Sequence, residues 1–441
     1  MTTLIYNVRF PGQPMADGWI AIKGERIEAV GTELMGRPKA DEVFDGEGAL
    51  LMPGVIDCHV HFREPGLEHK ADIAAESRAA VASGVTSYLD MPNCKPPTTT
   101  VALWADKMER AKGRSLTNYG FFIGATNSNI DQLKEADYTR VPGVKLFMGS
   151  STGNMLVDDA RAIHLIFSEV DAIVAVHAEE QSIIAANTQV AKQQYPQGQI
   201  PLAEHSRIRS VEACFASTAR AVELAKQSRH RLHICHLTTE RELGLLERGP
   251  IQDKLITSEV SPHHLLWCDE DYGAKGARIK MNPAVKSRAD RDALLRALKD
   301  GLIDMVATDH APHEWAAKEG DALTAASGAP MVQFSLPAML GLLDEATVAR
   351  VMCSNPALVY GIEDRGTLLP GCYADLVLVR ETTPYKVTDA EVLSRCGWTP
   401  MAGYTLRHRV EKTWVNGQLV YDDGKFSDTI HSQPLRFNAR R

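Results

Sequence analysis

The octapeptide Val55-Ile56-Asp57-Cys58-His59-Val60-His61-Phe62 is short and largely apolar, and it carries two histidines one residue apart near its end. Bounded by Pro53-Gly54 and Pro65-Gly66, such a run reads as a strand buried on both faces. A helix-patterned segment, Asp72 to Ser83, comes next and leads to a second apolar run at 85–91. The same alternation gives further runs at 119–125, 144–148, 172–178, 231–237, 255–260 and 305–309, with another clear helix pattern from Arg288 to Asp300. Eight strand-then-helix units, rather than five or six, favour an α/β chain closed into a (β/α)8, TIM-like barrel over an open doubly wound sheet.

The two ends of the chain are patterned differently. Trp19-Ile20-Ala21-Ile22 and Ile27-Glu28-Ala29-Val30, joined through Lys23-Gly24-Glu25-Arg26, predict a β-hairpin. Alternation returns in Ala374–Val379 and in Thr413–Tyr421, so residues 1–52 and 366–441 are expected to form one small β domain beside a barrel spanning 53–365. The Gln- and Ala-rich insertion 181–207 is expected to run as helix over the barrel rim, and Arg440-Arg441 to be a solvated tail.

With 441 residues, 44% hydrophobic and 24% charged, the composition is that of a folded globular chain. A net charge of -8 argues against nucleic acid as a partner, since phosphate binding needs a basic face. The first residues lack a basic start followed by an apolar run, and no apolar stretch is long enough to span a bilayer, so a cytoplasmic protein without membrane contact is expected. The eight cysteines are scattered without a C-x-x-C pair and are read as free thiols.

Chemistry collects where the strands end, the face on which barrels of this kind build sites for small-molecule substrates. Alternation along a strand should turn His59 and His61 the same way, toward one ion, although a lone His-x-His is also a common surface pattern. Lys145 interrupts the apolar run Val144-Lys145-Leu146-Phe147. A buried ammonium is costly unless paired or neutralised. Carboxylation of the amine by carbon dioxide would answer that, and so would a head group reaching solvent at the strand end. The fifth and sixth runs end in His177 and His236, and the eighth delivers Asp309. His233, three residues before His236, is expected to face the other side of its strand and to serve in packing. Imidazole and carboxylate donors without thiolate suit two zinc ions, with manganese, cobalt or iron as other divalent metals the same ligands would hold.

These residues resemble the amidohydrolase superfamily and, within it, the dihydroorotases. The resemblance is carried by His59-Val60-His61-Phe62-Arg63-Glu64-Pro65-Gly66 and its continuation to Ile73, by Asp90-Met91-Pro92-Asn93, and by Val306-Ala307-Thr308-Asp309-His310-Ala311-Pro312-His313. Ser258–Leu265, Met281-Asn282-Pro283 and Leu368-Leu369-Pro370-Gly371 add to it, so it spans nearly the whole chain. It implies His59, His61 and Asp309 on one metal, His177 and His236 on the other, and carboxylated Lys145 between them. It further implies Arg63, Asn93 and His313 as contacts to a substrate carboxylate, and Asn282 as a contact to a pyrimidine ring. The implied reaction is reversible hydrolysis of (S)-dihydroorotate to N-carbamoyl-L-aspartate, with Asp309 as proton shuttle, in pyrimidine biosynthesis. A homodimer is implied, as is association with aspartate transcarbamoylase.

Some family members use a later aspartate in place of the lysine. Here Asp158 and Asp159 read as a helix N-terminus, so Lys145 is preferred. The segment 314–331 departs from the usual family sequences. Two rival readings stay open: a dihydropyrimidinase, hydantoinase or allantoinase, whose substrates lack the ring carboxylate, and a non-catalytic scaffold related to dihydroorotases.

Overall fold

The structure is a computed structural model that describes residues 2–32, 36–149 and 155–438; Arg440 and Arg441, read above as a tail, lie outside them. Its centre is a parallel barrel built from the eight expected runs. The strands are Val55–Val60, Val85–Asp90, Asn118–Phe121 with Ile123–Gly124, Val144–Phe147, Val174–His177, Leu232–Ile234, Ile256–Val260 and Met305–Val306. All are buried along their length, which explains why they are continuous apolar runs rather than alternating ones. The ring closes where His61 N–H donates to the His310 carbonyl at 2.8 Å, with Val60 and His310 bridged in parallel.

Helices clad the outside, and their starts are set by local chemistry. Asp72 caps Ile73–Val81 by accepting from the Ala75 N–H, and Ser287 caps Arg288–Lys299 with a reciprocal contact from Asp290. Asp159 caps Ala160–Glu169, in line with its reading as a helix start. The sixth unit departs from the expected pattern, because the chain after Leu232–Ile234 makes only 3-10 turns, Arg241–Leu245 and Ile251–Asp253. Buried Glu242 accepts there from the Thr218 and Thr239 hydroxyls at 2.6 and 2.8 Å and from the Thr239 N–H at 3.1 Å, contacts that fix a compact turn.

Two of the strands also stop earlier than their apolar runs. Asp57 takes the Thr308 N–H and hydroxyl at 3.0 and 2.6 Å, a side-chain partner in place of the ladder, and Asp309 then adopts φ +47°. His236 follows the sixth strand with φ +36°. Both candidate ligands therefore sit on left-handed turns just past a strand end.

Beside the barrel, the two chain ends make two antiparallel-rich sheets. The hairpin Gly18–Lys23 and Arg26–Gly31 forms as expected around a two-residue Gly24-Glu25 turn, with Gly24 at φ +61°. Thr2–Val8 and Glu42–Asp45 complete that sheet. The second sheet joins Leu50–Pro53 to Leu376–Lys386, Thr405–Val415 and Gln418–Asp422. Ile5, Ile20, Leu51, Leu376 and Trp414 share the core between them, so neither chain end could bury its apolar face alone. The last described residues return to the barrel, where Leu435 N–H donates to the Tyr119 carbonyl at 2.9 Å and Phe437 packs against Gly120. No helix among the described residues is long and apolar enough to cross a membrane.

Candidate metal centre and active site

One cavity of about 80 Å³ at the C-terminal ends of the strands is lined by His59, His61, Arg63, Asn93, Lys145, His177, His236, Asn282, Asp309 and His313. Every residue named from the sequence as a metal ligand or substrate contact is thus brought to one place. Phe147, Ala311, Ser327 and Gly328 complete the wall.

The histidines are aimed by partners on their outer sides. His59 Nδ1 is in short contact with Glu259, which leaves Nε2 facing Asp309 Oδ1 at 3.3 Å. His61 Nδ1 meets Asn93 Oδ1 at 2.8 Å and its Nε2 stands 3.0 Å from the same Asp309 oxygen. A register shift between Asp57 and Val60 lets the first strand turn at this point. His177 Nε2 donates to Glu179 at 3.0 Å, while its Nδ1 lies 3.0 Å from His236 Nε2. The His59 and His236 rings are 5.3 Å apart, so the two groups of donors adjoin.

Charge follows the same arrangement. Burial is the largest influence on the His59 imidazolium and disfavours it, yet Glu259, Asp309 and Cys235 together outweigh it and lift that group to about 10. Burial alone would raise Asp309, but His59 and His61 hold it well below the usual carboxylate range. Glu179 is likewise opposed by burial and brought down to about 2 by Arg209 and His177. Asp309 and Glu179 are therefore anionic at neutral pH.

These residues fit a divalent metal centre. His177 Nδ1 and His236 Nε2 lie 3.0 Å apart, buried His236 Nδ1 has no hydrogen-bond partner among the described residues, and His59, His61 and Asp309 place one donor atom each within 4.8 Å of one another. His59, His61 and His177 are each backed by a carboxylate or amide, the arrangement that fixes ring tautomer and raises ligand basicity. Lys145 is fully buried, its Nζ 2.9 Å from the Cys235 sulfur, and no ion pair involves it among the described residues.

A second group lies beside the donors. Arg63, at φ +69°, is only 6% exposed; its Nε donates to the Pro312 carbonyl at 3.0 Å and one Nη to His313 Nε2 at 3.1 Å. Burial lowers the guanidinium to about 10, which leaves it charged at neutral pH. Burial and the neighbouring Arg63 push His313 far below its ordinary value, so it is a neutral imidazole. Asn282 Oδ1 is 3.1 Å from His205 Nε2 on the helix Glu204–Ile208, so the insertion does reach over the rim.

One reading from the sequence needs correction. His233 is not an inert packing residue: its Nδ1 meets Thr257 Oγ1 at 2.9 Å and its Nε2 meets Glu259 at 3.1 Å, so it steadies the carboxylate that aims His59. It pairs with Ala175, which pairs with Lys145, and so shares their face of the sheet. The alternation argument failed because His236 lies beyond the strand end. Glu259, Glu179, Arg209 and His205 were missed altogether. Glu259 was detectable by the argument applied to Lys145, as a charged residue inside a buried strand.

Comparison with known proteins agrees with this geometry. The model of the Amidohydrolase family matches residues 50–420. A dihydroorotase of Halobacterium salinarum is 37% identical over 421 residues, covering 92% of this chain and 95% of that protein. An allantoinase of Bacillus velezensis is 32% identical, covering 95% and 92%. Among solved structures, an L-hydantoinase (dihydropyrimidinase) of Arthrobacter aurescens superposes with a TM-score of 0.91 at 26% identity, covering 98% of this chain and 99% of its own.

Proposed function

Since the chain belongs to the amidohydrolase family and is a hydrolase of cyclic amides, we propose that it is a dihydroorotase, interconverting (S)-dihydroorotate and N-carbamoyl-L-aspartate in pyrimidine biosynthesis. The observation that carries this choice is Arg63. A guanidinium buried beside the cavity, with no carboxylate ion partner among the described residues, calls for an anionic substrate group. Dihydroorotate carries a ring carboxylate, whereas dihydrouracil, hydantoin and allantoin do not.

In this reading His59, His61 and Asp309 would hold one zinc ion and His177 and His236 the other, and a carboxylated Lys145 would complete the donor set. Carboxylation joins the Lys145 nitrogen to the carbon of carbon dioxide and releases two protons, one from the ammonium and one as the N–C bond forms, and so turns a buried cation into an anion. The two zinc ions, when bound, would acidify water and polarise the scissile carbonyl. The protein's own residues do the remaining work. Arg63 receives the carboxylate through paired N–H donors, with Asn93 and neutral His313 beside it. Asn282, steadied by His205, orients the ring. Asp309 takes the proton from the attacking water and passes it to the ring nitrogen as that bond breaks.

Arg63→Lys is expected to raise KM for dihydroorotate by roughly 30-fold or more, because an ammonium cannot make two parallel contacts to a carboxylate. Metal content should stay that of the parent. Steady-state kinetics with metal analysis reads both, and a parallel loss of affinity and metal would remove Arg63 from carboxylate binding. The second reading, an allantoinase or hydantoinase, is kept in view by the relatives of those names. Rates with dihydroorotate, dihydrouracil, hydantoin and allantoin decide between them: dihydroorotate should lead by orders of magnitude, and preference for an uncharged ring sinks the proposal.

A further inference from the structure

We propose that Lys318, working with Lys280, is a positioning residue that clamps the segment 325–328 against the anion-binding corner of the cavity and thereby sets substrate affinity. The inference rests on the functional reading above and extends it to residues with no assigned part. Ser327 and Gly328 form one wall of the cavity. Their segment is held from behind by two lysines that are almost wholly buried.

Lys318 Nζ donates to the carbonyls of Ala326, Gly328 and Lys280 at 2.7, 2.8 and 2.9 Å. Three acceptors match the three N–H bonds of an ammonium. Lys280 Nζ meets the Ala325 carbonyl in a short contact and Ser327 Oγ at 3.1 Å, and Gly328 N–H returns to the Lys280 carbonyl at 3.0 Å. Among the described residues neither lysine forms an ion pair, and both Nζ groups are spent on the carbonyls and one hydroxyl of this stretch. An apolar contact would cover the segment as well without the cost of burying two polar head groups, but it would not fix the direction of each carbonyl.

The clamp leads directly to the substrate side. Gly328 has φ +136°, and a Cβ there would lie 2.7 Å from the Ala311 carbonyl oxygen and 3.1 Å from His313 Cδ2. Glycine thus lets the clamped backbone press on His313, which in turn touches Arg63. Just ahead of that segment the chain is tied to the insertion: Ala322 N–H donates to the Ile200 carbonyl at 2.9 Å, and both residues share an apolar cluster with Ile208. Lys280 also lies two residues before Asn282, so insertion, ring contact and cavity wall are joined through one pair of lysines.

The test compares the parent with Lys318→Met, which keeps the length of the chain and removes the donors, and with Gly328→Ala, which leaves the lysines intact and pushes the segment off His313. Both variants should raise KM for dihydroorotate roughly tenfold or more, with kcat changed less than about threefold. Amide exchange at Ser327 and Gly328 should quicken by about tenfold in Lys318→Met. A lowered melting temperature with KM and exchange unchanged makes Lys318 a packing residue and overturns the proposal. Should Lys318→Met fail to fold, Gly328→Ala decides alone, and a parent-like KM in it is equally fatal. A parent inactive on dihydroorotate tells against the functional reading instead. The KM comparison then moves to whichever of dihydrouracil, hydantoin or allantoin the parent hydrolyses, and the exchange measurement stands as it is.

Discussion

Asp309→Asn is expected to lower kcat for dihydroorotate hydrolysis by about a thousandfold, within the range assigned to a positioned acid or base, while the fold and most of the bound metal survive. The amide has the shape of the carboxylate and can still present an oxygen toward His59 and His61, which stand 3.3 and 3.0 Å from Oδ1. It cannot accept a proton from water and return it to a leaving nitrogen. The backbone should not suffer, since Asp309 sits at φ +47° and asparagine tolerates that region as well as aspartate does. Kinetics at saturating substrate, circular dichroism and metal analysis separate the possibilities. Near-parent turnover in a folded, metal-loaded Asn variant takes the proton shuttle away from Asp309.

Lys145→Met should abolish activity by a comparable factor for a different reason. Methionine fits the fully buried position between Val144 and Leu146 and removes an amine whose polar partner among the described residues is the Cys235 sulfur at 2.9 Å. Relief from burying that amine should leave the melting temperature unchanged or higher. Metal capacity should fall with activity, because the bridging carbamate cannot form. Stability and metal binding are thus expected to move independently or in opposite directions, which a purely structural lysine does not produce. A Met variant that keeps its metal and its rate shows that Lys145 bridges nothing.

Much of this site was legible in the sequence because a parallel barrel writes its strands as short apolar runs and its chemistry at their ends. His59, His61, Lys145 and His177 stand out for that reason: each is a polar residue in or just after a stretch that must be buried. Period-two alternation then oriented them correctly while the strand lasted. It misjudged His233 against His236 because the sixth strand ends at Ile234 and His236 turns to φ +36°. The residues that aim the ligands were harder to see. His59 and Glu259 are 200 positions apart, and nothing local in either stretch names the other. His205 belongs to the insertion and Arg209 follows it; the insertion's helical pattern was plain, but its place over the rim depends on the docking of Ile200 and Ile208 beside Ala322. The segment 314–331 was illegible for the same physical reason: two buried lysines bonded to carbonyls leave no periodic trace.

In the proposed centre, donors from separate strand ends meet around two cations. Purified protein, supplied with zinc and bicarbonate and freed of loose metal, should retain close to two equivalents per chain by elemental analysis, and His177→Ala or His236→Ala should lower that number together with activity. Full dihydroorotate turnover by protein that holds no metal, or unchanged metal in both histidine variants, contradicts it.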